Sequence, residues 1–346
     1  MSALDAAIPR HRAVLVVPRI RVQNANAISS PMTWGFPAIT AFTGLMTALE
    51  RRLGRDAGIA LNGIGVICHT FEAQVTTAGY TKAFHLTRNP VLANDSTAGI
   101  VEEGRVHLSL TLVFDALLSD ARRGESDRHS LAARVSEELD GMRIAGGSVM
   151  PPLPSAPHQS RRPTLELVPD DGQTDEQYRH FRRLARQWLP GFALVSRDDL
   201  LLQRLQTLQQ REPHATSFDA WLDLSRWNAR AVEPADPHDD SQPSEVEWVT
   251  ERHAGWTVPI PVGFAALTPL HPPGAVSGTR DVHTPFRFVE SVWSIGQWVS
   301  PHRLKSLHDL VWLPDNDCDS GQPAEHALYR CVNGYKPAVR TEQSAD

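Results

Sequence analysis

The sequence predicts an α+β fold, and three observations predict it. Strand-like and helix-like periods follow one another from Ala13 to Met150, a run of helical period begins at Thr174, and strand-like sequence returns at Trp248. The chain has 346 residues, 41% of them hydrophobic and 21% charged, enough for a sizeable core. That composition excludes a collagen, a coiled-coil rod and a wholly disordered chain. The length suits about two domains, or one with a large insert, at roughly 150 residues per domain.

Ala13 to Asn24 reads as a strand, continuously apolar to Val17 and then alternating, with Ile20 and Val22 on one side and Arg19, Arg21 and Gln23 on the other. A Gly/Pro-pinned loop with Asn24, Asn26, Ser29, Trp34 and Phe36 follows. Ile39, Phe42, Leu45, Met46, Leu49 and Leu53 then recur at helical spacing, with Pro37 near the start and Gly54 just past the end. Gly65 to Thr76, Thr81 to Thr87 and His107 to Leu117 read as strands, the last with Leu108, Leu110, Leu112 and Phe114 on one face. A helix over Asp127 to Gly141 and a strand over Met142 to Met150 complete the order β–α–β–β(–β)–α–β. That order is the signature of a ferredoxin-like (RRM-like) sheet, with one strand too many for a unique pairing.

From Thr174 three helices are expected, opened by Thr174 with Gln177, Ser196 with Asp199, and Thr216 with Asp219. The first is read as burying Tyr178, Phe181, Leu184 and Trp188 and showing Arg179, Arg182, Arg183 and Arg186 outward. The expected organisation is a core over 1–155, a helical insert over 156–230, an acidic, mobile linker over 231–246, strands returning to the core over 247–314 and a loosely packed tail over 315–346. The prolines at 259, 261, 269, 272 and 273 argue for edge-like or irregular strands there. One strand is expected in the tail, at Tyr329 to Val332.

No run of about 18 apolar residues occurs and Ala13 to Val17 is too short for a signal-peptide core, so a cytoplasmic protein without a membrane span is expected. Three separated cysteines, Cys68, Cys318 and Cys331, agree with a reducing compartment. The net charge of −6 argues at first against a polyanion partner. However, Glu233, Asp236, Asp239, Asp240, Glu245, Glu247 and Glu251 cluster in a stretch with no Lys or Arg, and −6 without those seven charges is +1. A local basic patch matters more than the total. Of 34 basic residues only Lys82, Lys305 and Lys336 are lysine, and arginine suits bidentate phosphate recognition, but composition alone favours GC-rich codon usage as the source of the bias.

The chemical motifs are sparse. There is no CxxC or HExxH for a metal, no GxxxxGK[ST] or GxGxxG for a nucleotide, and no GxSxG nucleophile, so neither a cofactor nor a metal is expected. Ala145-Gly146-Gly147-Ser148 could bring backbone N–H groups to a phosphate, but a turn that needs positive φ is the simpler reading. His69, His85 and His107 are the only candidate acid–base groups for a ribonuclease, each more readily structural. Single-stranded RNA binding fits better, because Arg19, Arg21 and Gln23 make a polar row beside Asn24, Asn26, Ser29, Trp34 and Phe36. The residues by themselves slightly favour a solvated strand face for Arg19 and Arg21, and favour packing on the following helix for Trp34 and Phe36.

The block PRIRVQNANAISSPMTWGFPAITAFTGLMTALERRLG (Pro18 to Gly54) closely resembles the opening of the Csy-two family. So do ICHTFEAQV (Ile67 to Val75), FHLTRNP (Phe84 to Pro90), IVEEGRVHLSLTL (Ile100 to Leu112) and MRIAGGSVMP (Met142 to Pro151). LPGFALVSR (Leu189 to Arg197), WTVPIPVGFAALTPL (Trp256 to Leu270) and TPFRFVESVWSIGQWVSPHRL (Thr284 to Leu304) continue in family order. This family is the Cas-five-type RAMP subunit of the type I-F CRISPR (Csy, or Cascade) surveillance complex. The resemblance implies a ferredoxin-like RAMP core with a helical insert and no catalytic activity. It implies pairing with the large Csy-one subunit, contact with Csy-three backbone subunits, binding of the 5′ handle of the CRISPR RNA, and an antiviral role in which the assembled particle pairs with target DNA. The expected RNA contacts are Arg19, Arg21, Gln23, Asn24, Asn26, Ser29, Trp34 and Phe36 in the first block, Arg143, Gly146, Gly147 and Ser148 in the MRIAGGSVMP block, and Arg280 with Arg287 near the TPFRF block. Two other readings remain: a metal-independent RAMP-type RNA endonuclease, and a structural subunit that docks proteins only.

Overall fold

A computed structural model describes residues 8–79, 81–88, 91, 94–152, 162–170, 172–232, 247–251, 255–315 and 327–337. β1 (His11–Asn26) runs into a small hairpin, β2 (Ile28–Ser30) with β3 (Thr33–Trp34), and then α1 (Ile39–Leu53). β4 (Ile59–Ala73) is followed by two further hairpins, β5 (Val75–Ala78) with β6 (Thr81–Phe84) and β7 (Leu86–Arg88) with β8 (Ile100–Glu102). β9 (Arg105–Leu118) and α2 (Glu125–Asp140) lead to the tight pair β10 (Arg143–Ile144) and β11 (Gly147–Met150). Then come β12 (Thr164–Leu167), α3 (Thr174–Gln187), β13 (Phe192–Ser196), α4 (Asp198–Gln209) and α5 (Ser217–Ser225). The hairpin β14 (Asn228–Val232) with β15 (Glu247–Glu251), the long strands β16 (Trp256–Ala266) and β17 (Val289–Val299), α6 (Leu307–Leu310), β18 (Trp312–Pro314) and β19 (Leu328–Asn333) complete the chain.

The chain is α+β, built on one antiparallel sheet of 11 strands. Its first half has the order β11-β1-β9-β4. β1 and β9 form this half because both alternate: Ile20, Val22, Leu108, Leu110, Leu112 and Phe114 turn one way, into a core shared with Phe42, Leu49, Leu131, Val135 and Leu139 of α1 and α2. On the opposite face Val14, Val16, Ile67 and Val113 pack under Phe181, Leu184, Ala185 and Trp188 of α3. One sheet is thus sandwiched between two helices on one face and a single helix on part of the other.

The second half closes on itself. β4 pairs β13, the order continues through β17, β16, β19 and β18, and β18 returns to β4 through Trp312 opposite Ile64. Gly63 permits that return, because a Cβ there would lie 2.5 Å from Leu313 Cδ2. Trp312 is wholly buried and donates its indole N–H to the Leu194 carbonyl at 2.9 Å. Pro259 and Pro261 are tolerated because β19 covers only Gly263 to Ala265, so that stretch of β16 is paired along one side.

Several sequence expectations change. Met142 to Met150 is two strands, because Ala145 and Gly146 both take positive φ (49° and 79°), the geometry of a two-residue hairpin turn. The stretch from Thr174 to Asn228 is not helical throughout: β13 lies inside it and joins the main sheet. Of the three expected capping boxes one forms, Thr216 with Asp219 on α5; Gln173 and Arg197 hold the N-cap positions of α3 and α4 without a side-chain cap bond, and Ser196 belongs to β13. Tyr178 is 50% exposed rather than buried. The strand in the tail packs into the ring, with Cys331 buried and Tyr329 Oη 3.0 Å from Thr43 Oγ1 of α1. Most of the acidic linker, and Cys318, lie outside the described residues.

Candidate nucleic-acid interface

Beyond the end of α3 the sheet face stays open. The registers place Arg21 opposite Met150 and Ser109, Gln23 opposite Ser148, Thr70 opposite Ser109, and Glu72 opposite His107. Arg21, Gln23, Thr70, Glu72, His107, Ser109 and Met150 therefore share one face and line a depression of about 210 Å³. His107, Ser109 and Thr111 were legible as the polar side of an alternating strand; Thr70 and Glu72 were not, because a bulge between Cys68 and Thr70 changes the alternation.

At its inner end this face is held by a hydrogen-bonded network. β1 bulges between Val17 and Ile20, where Arg19 takes φ 54°. The Arg19 N–H donates to Thr111 Oγ1 at 3.2 Å and one guanidinium N–H donates to the Leu189 carbonyl at 3.2 Å. Thr111 Oγ1 also lies 2.7 Å from His69 Nε2, and His69 Nδ1 lies 2.7 Å from the Pro190 carbonyl. A carbonyl can only accept, so Nδ1 carries the proton and Thr111 donates to Nε2. Burial, opposed by the Pro190 bond and reinforced by the Arg19 charge, lowers the His69 pKa from 6.5 to about 4. Burial also draws the Arg19 guanidinium below its ordinary value and pushes the neighbouring Cys68 thiol up to about 12.

A second bulge lies between Val22 and Ala25, where Asn24 takes φ 57° and donates its N–H to His107 Nδ1 at 3.1 Å. The Arg21 guanidinium reaches the Pro151 carbonyl at 3.3 Å, and its face is otherwise open. Ser148 and Gly146 are exposed on the adjoining hairpin, and the Arg143 guanidinium donates to the Gly146 carbonyl at 3.0 Å. Gly147 has a packing role: a Cβ would lie 2.7 Å from Ala25 N and Gln23 O of β1. Asn26 closes a local turn with Ile28 at 2.8 and 3.0 Å, and Ser29 bonds Thr33 Oγ1 at 2.8 Å.

The aromatics sit elsewhere. Phe71 alternates with Thr70 and Glu72, so it leaves β4 on the opposite face. There it joins Trp34, Phe36, Phe192, Trp256 and Trp298 around a groove of about 470 Å³ that reaches His69. Phe36 is packed on Phe42 (5.6 Å) and Trp298 (4.9 Å), whereas Trp34 is half exposed and meets Phe84 edge-on at 5.7 Å. Arg280 and Arg287 lie between β16 and β17, beyond the Ala266–Val289 end of that ribbon. Among the described residues the buried Arg287 Nε has no hydrogen-bond partner. The structure thus gathers Arg19, Arg21, Gln23, Asn24 and Ser148 on and beside one face, whereas Trp34 and Phe36 line the other groove and Arg280 and Arg287 line neither.

A family model described as CRISPR-associated protein (Cas_Csy2) matches residues 15–331. The chain belongs to the Csy2 family. The CRISPR-associated protein Csy2 of Pseudomonas aeruginosa (strain UCBPP-PA14) is 46% identical over 315 residues, covering 89% of this chain and 93% of that protein. Family membership makes the chain a subunit of a type I-F CRISPR (Csy) complex. No helix among the described residues is long and apolar enough to cross a membrane, and no group of three or more His, Cys, Asp or Glu among them is placed to hold a metal.

Proposed function

We propose that this Csy2-family chain is a non-catalytic subunit that pairs with the large Csy-one subunit and holds the 5′ handle of the CRISPR RNA on its open sheet face. The observation that carries this is the convergence of Arg21, Gln23, His107, Ser109 and Ser148 on an uncovered part of the main sheet, against an otherwise apolar core. Arg21 supplies charge for a phosphate, while Gln23, His107 and Ser109 offer donors and acceptors to unstacked bases. Glu72 on the same face disfavours a phosphate beside it and suits a base amino group. The strand order β11-β1-β9-β4, with α1 and α2 on one side, supports a ferredoxin-like RAMP core for this half. Contact with a terminal Csy-three subunit, and with target DNA through the assembled particle, belongs to the same reading.

An endonuclease is the weaker reading. Both ring nitrogens of His69 are engaged, its pKa of about 4 leaves it neutral, and a Cys68 thiol near 12 supplies no thiolate. His107 accepts a backbone N–H, which removes one of its two ring nitrogens from chemistry.

The test is binding of the chain, co-purified with its large-subunit partner, to labelled handle RNA and to a scrambled RNA of equal length across a salt series. The handle is expected to bind more tightly and to stay intact, with the preference lost in Arg21→Ala/Gln23→Ala. Equal affinity for both RNAs, or cleavage of either, would overturn the proposal.

A further inference from the structure

A second basic surface lies on the same side of the sheet. α3 carries two interleaved stripes: Phe181, Leu184, Ala185 and Trp188 face the core, while Arg179, Arg182, Arg183 and Arg186 recur at i, i+3, i+4 and i+7 on the outer side. With Tyr178 and Gln187 these arginines line a broad, shallow depression of about 810 Å³.

Among the described residues, one of these four arginines has an ion pair. Glu166 bonds Arg183 and also His180 at 3.0 Å; the His180 bond, then Arg183, hold its carboxyl at about 2, so it neutralises one arginine of the row. The other three donate to main-chain carbonyls, Arg179 to Asp175, Arg182 to His302 and Arg186 to Arg182, which orients the guanidiniums and leaves their charge available. Asp175 and Glu176 lie in the first turn, where the helix dipole favours them. Tyr178 is 50% exposed in the midst of this row. An exposed aromatic ring among guanidiniums is the arrangement that stacks an unstacked base while phosphates are held alongside.

The row also joins the open sheet face. Arg179 to Arg186 spans about 10 Å of helix. α3 ends at Gln187, and the Leu189 carbonyl just beyond accepts from Arg19. The row therefore ends three residues before the carbonyl that Arg19 holds.

We propose that the Tyr178–Arg186 face of α3 is a second, sequence-independent site for the phosphodiester backbone of a single strand, with Tyr178 stacking one base. The continuity argument rests on the handle reading; the charge and the exposed ring do not. Arg179→Gln/Arg182→Gln/Arg186→Gln and Tyr178→Ala would be compared with the parent chain, all co-purified with the large subunit. The probes are handle RNA, single-stranded DNA of equal length and duplex DNA, each across a salt series. Loss of three phosphate contacts should make the slope of log K against log salt shallower by about 2 for both single strands, with the preference for handle over scrambled RNA retained. Tyr178→Ala should weaken single-strand binding about fivefold or more at unchanged slope. An unchanged slope with all three probes overturns the proposal, and so does failure of the triple variant to co-purify, which would make the face a protein contact. Equal losses on duplex DNA with no effect of Tyr178→Ala overturn the single-strand assignment. Failure of the handle reading would look different, as Arg21→Ala/Gln23→Ala with unchanged handle preference.

Discussion

Replacing Thr111 by valine tests the network that shapes the candidate interface. Thr111 is buried, and its hydroxyl both accepts the Arg19 N–H at 3.2 Å and donates to His69 Nε2 at 2.7 Å. Valine keeps the branched shape and removes both bonds, leaving a backbone donor and a ring acceptor without partners. Each unsatisfied group costs about 1–3 kcal/mol, so Thr111→Val should destabilise by roughly 2–4 kcal/mol. Thr111→Ser keeps the hydroxyl, loses one methyl and should cost only about 1 kcal/mol. Urea titration of the purified proteins, read as the shift of midpoint at unchanged slope, measures both. A cycle with His69→Ala should return a coupling of about 1 kcal/mol or more, since the residues share a bond. A valine variant as stable as the serine variant would refute the reasoning: the hydroxyl would then not be holding the Arg19 bulge.

Further outcomes follow from the same geometry. The folded His69 pKa of about 4 lies below its ordinary 6.5, so the unfolded chain binds the extra proton between those values. Its contribution to stability is complete above pH 6.5 and is lost as pH falls towards 4; the stability difference between parent and His69→Gln, measured from pH 8 to 4, should shrink over that window. Phe36→Ala should cost about 3–5 kcal/mol because the ring packs on Phe42 and Trp298, whereas Trp34→Ala should leave the urea midpoint nearly unchanged. Gly147→Ala drives a Cβ to 2.7 Å from β1 backbone atoms and should cost about 1–3 kcal/mol, with a measurable fall in handle affinity as Ser148 is displaced.

The first half of the fold was legible because β1, β9 and α1 carry long, regular periods that local chemistry enforces: Leu108 to Phe114 alternate, and Ile39 to Leu53 recur at helical spacing. The closure of the second half was not. The tail strand was expected at Tyr329 to Val332, but its pairing with β16 and β18, and Trp312 meeting Ile64, join residues remote in the chain that no local period reports. Arg21 and Gln23 were readable as a polar row and Ser148 as part of a strand carrying a glycine pair, and registry brings them together. The roles of Arg19 and His69 were hidden, since both depend on bulges and on the loop at Leu189 and Pro190. Phe36 was read from the residues as packed on the following helix more readily than on a base, and its ring lies on Phe42 of α1 and against Trp298. Arg280 and Arg287 share a sequence character with Arg19 and Arg21 but stand at the far end of the β16–β17 ribbon.

The most direct measurement is photocrosslinking of the assembled type I-F particle carrying handle RNA substituted with a photoreactive base, followed by identification of the linked peptides. The account predicts adducts on β1 around Arg21 to Asn24, on β9 around His107 to Ser109, and on the hairpin at Ser148. Adducts confined to the Arg280 to Arg287 loop, or none on this subunit, would contradict it.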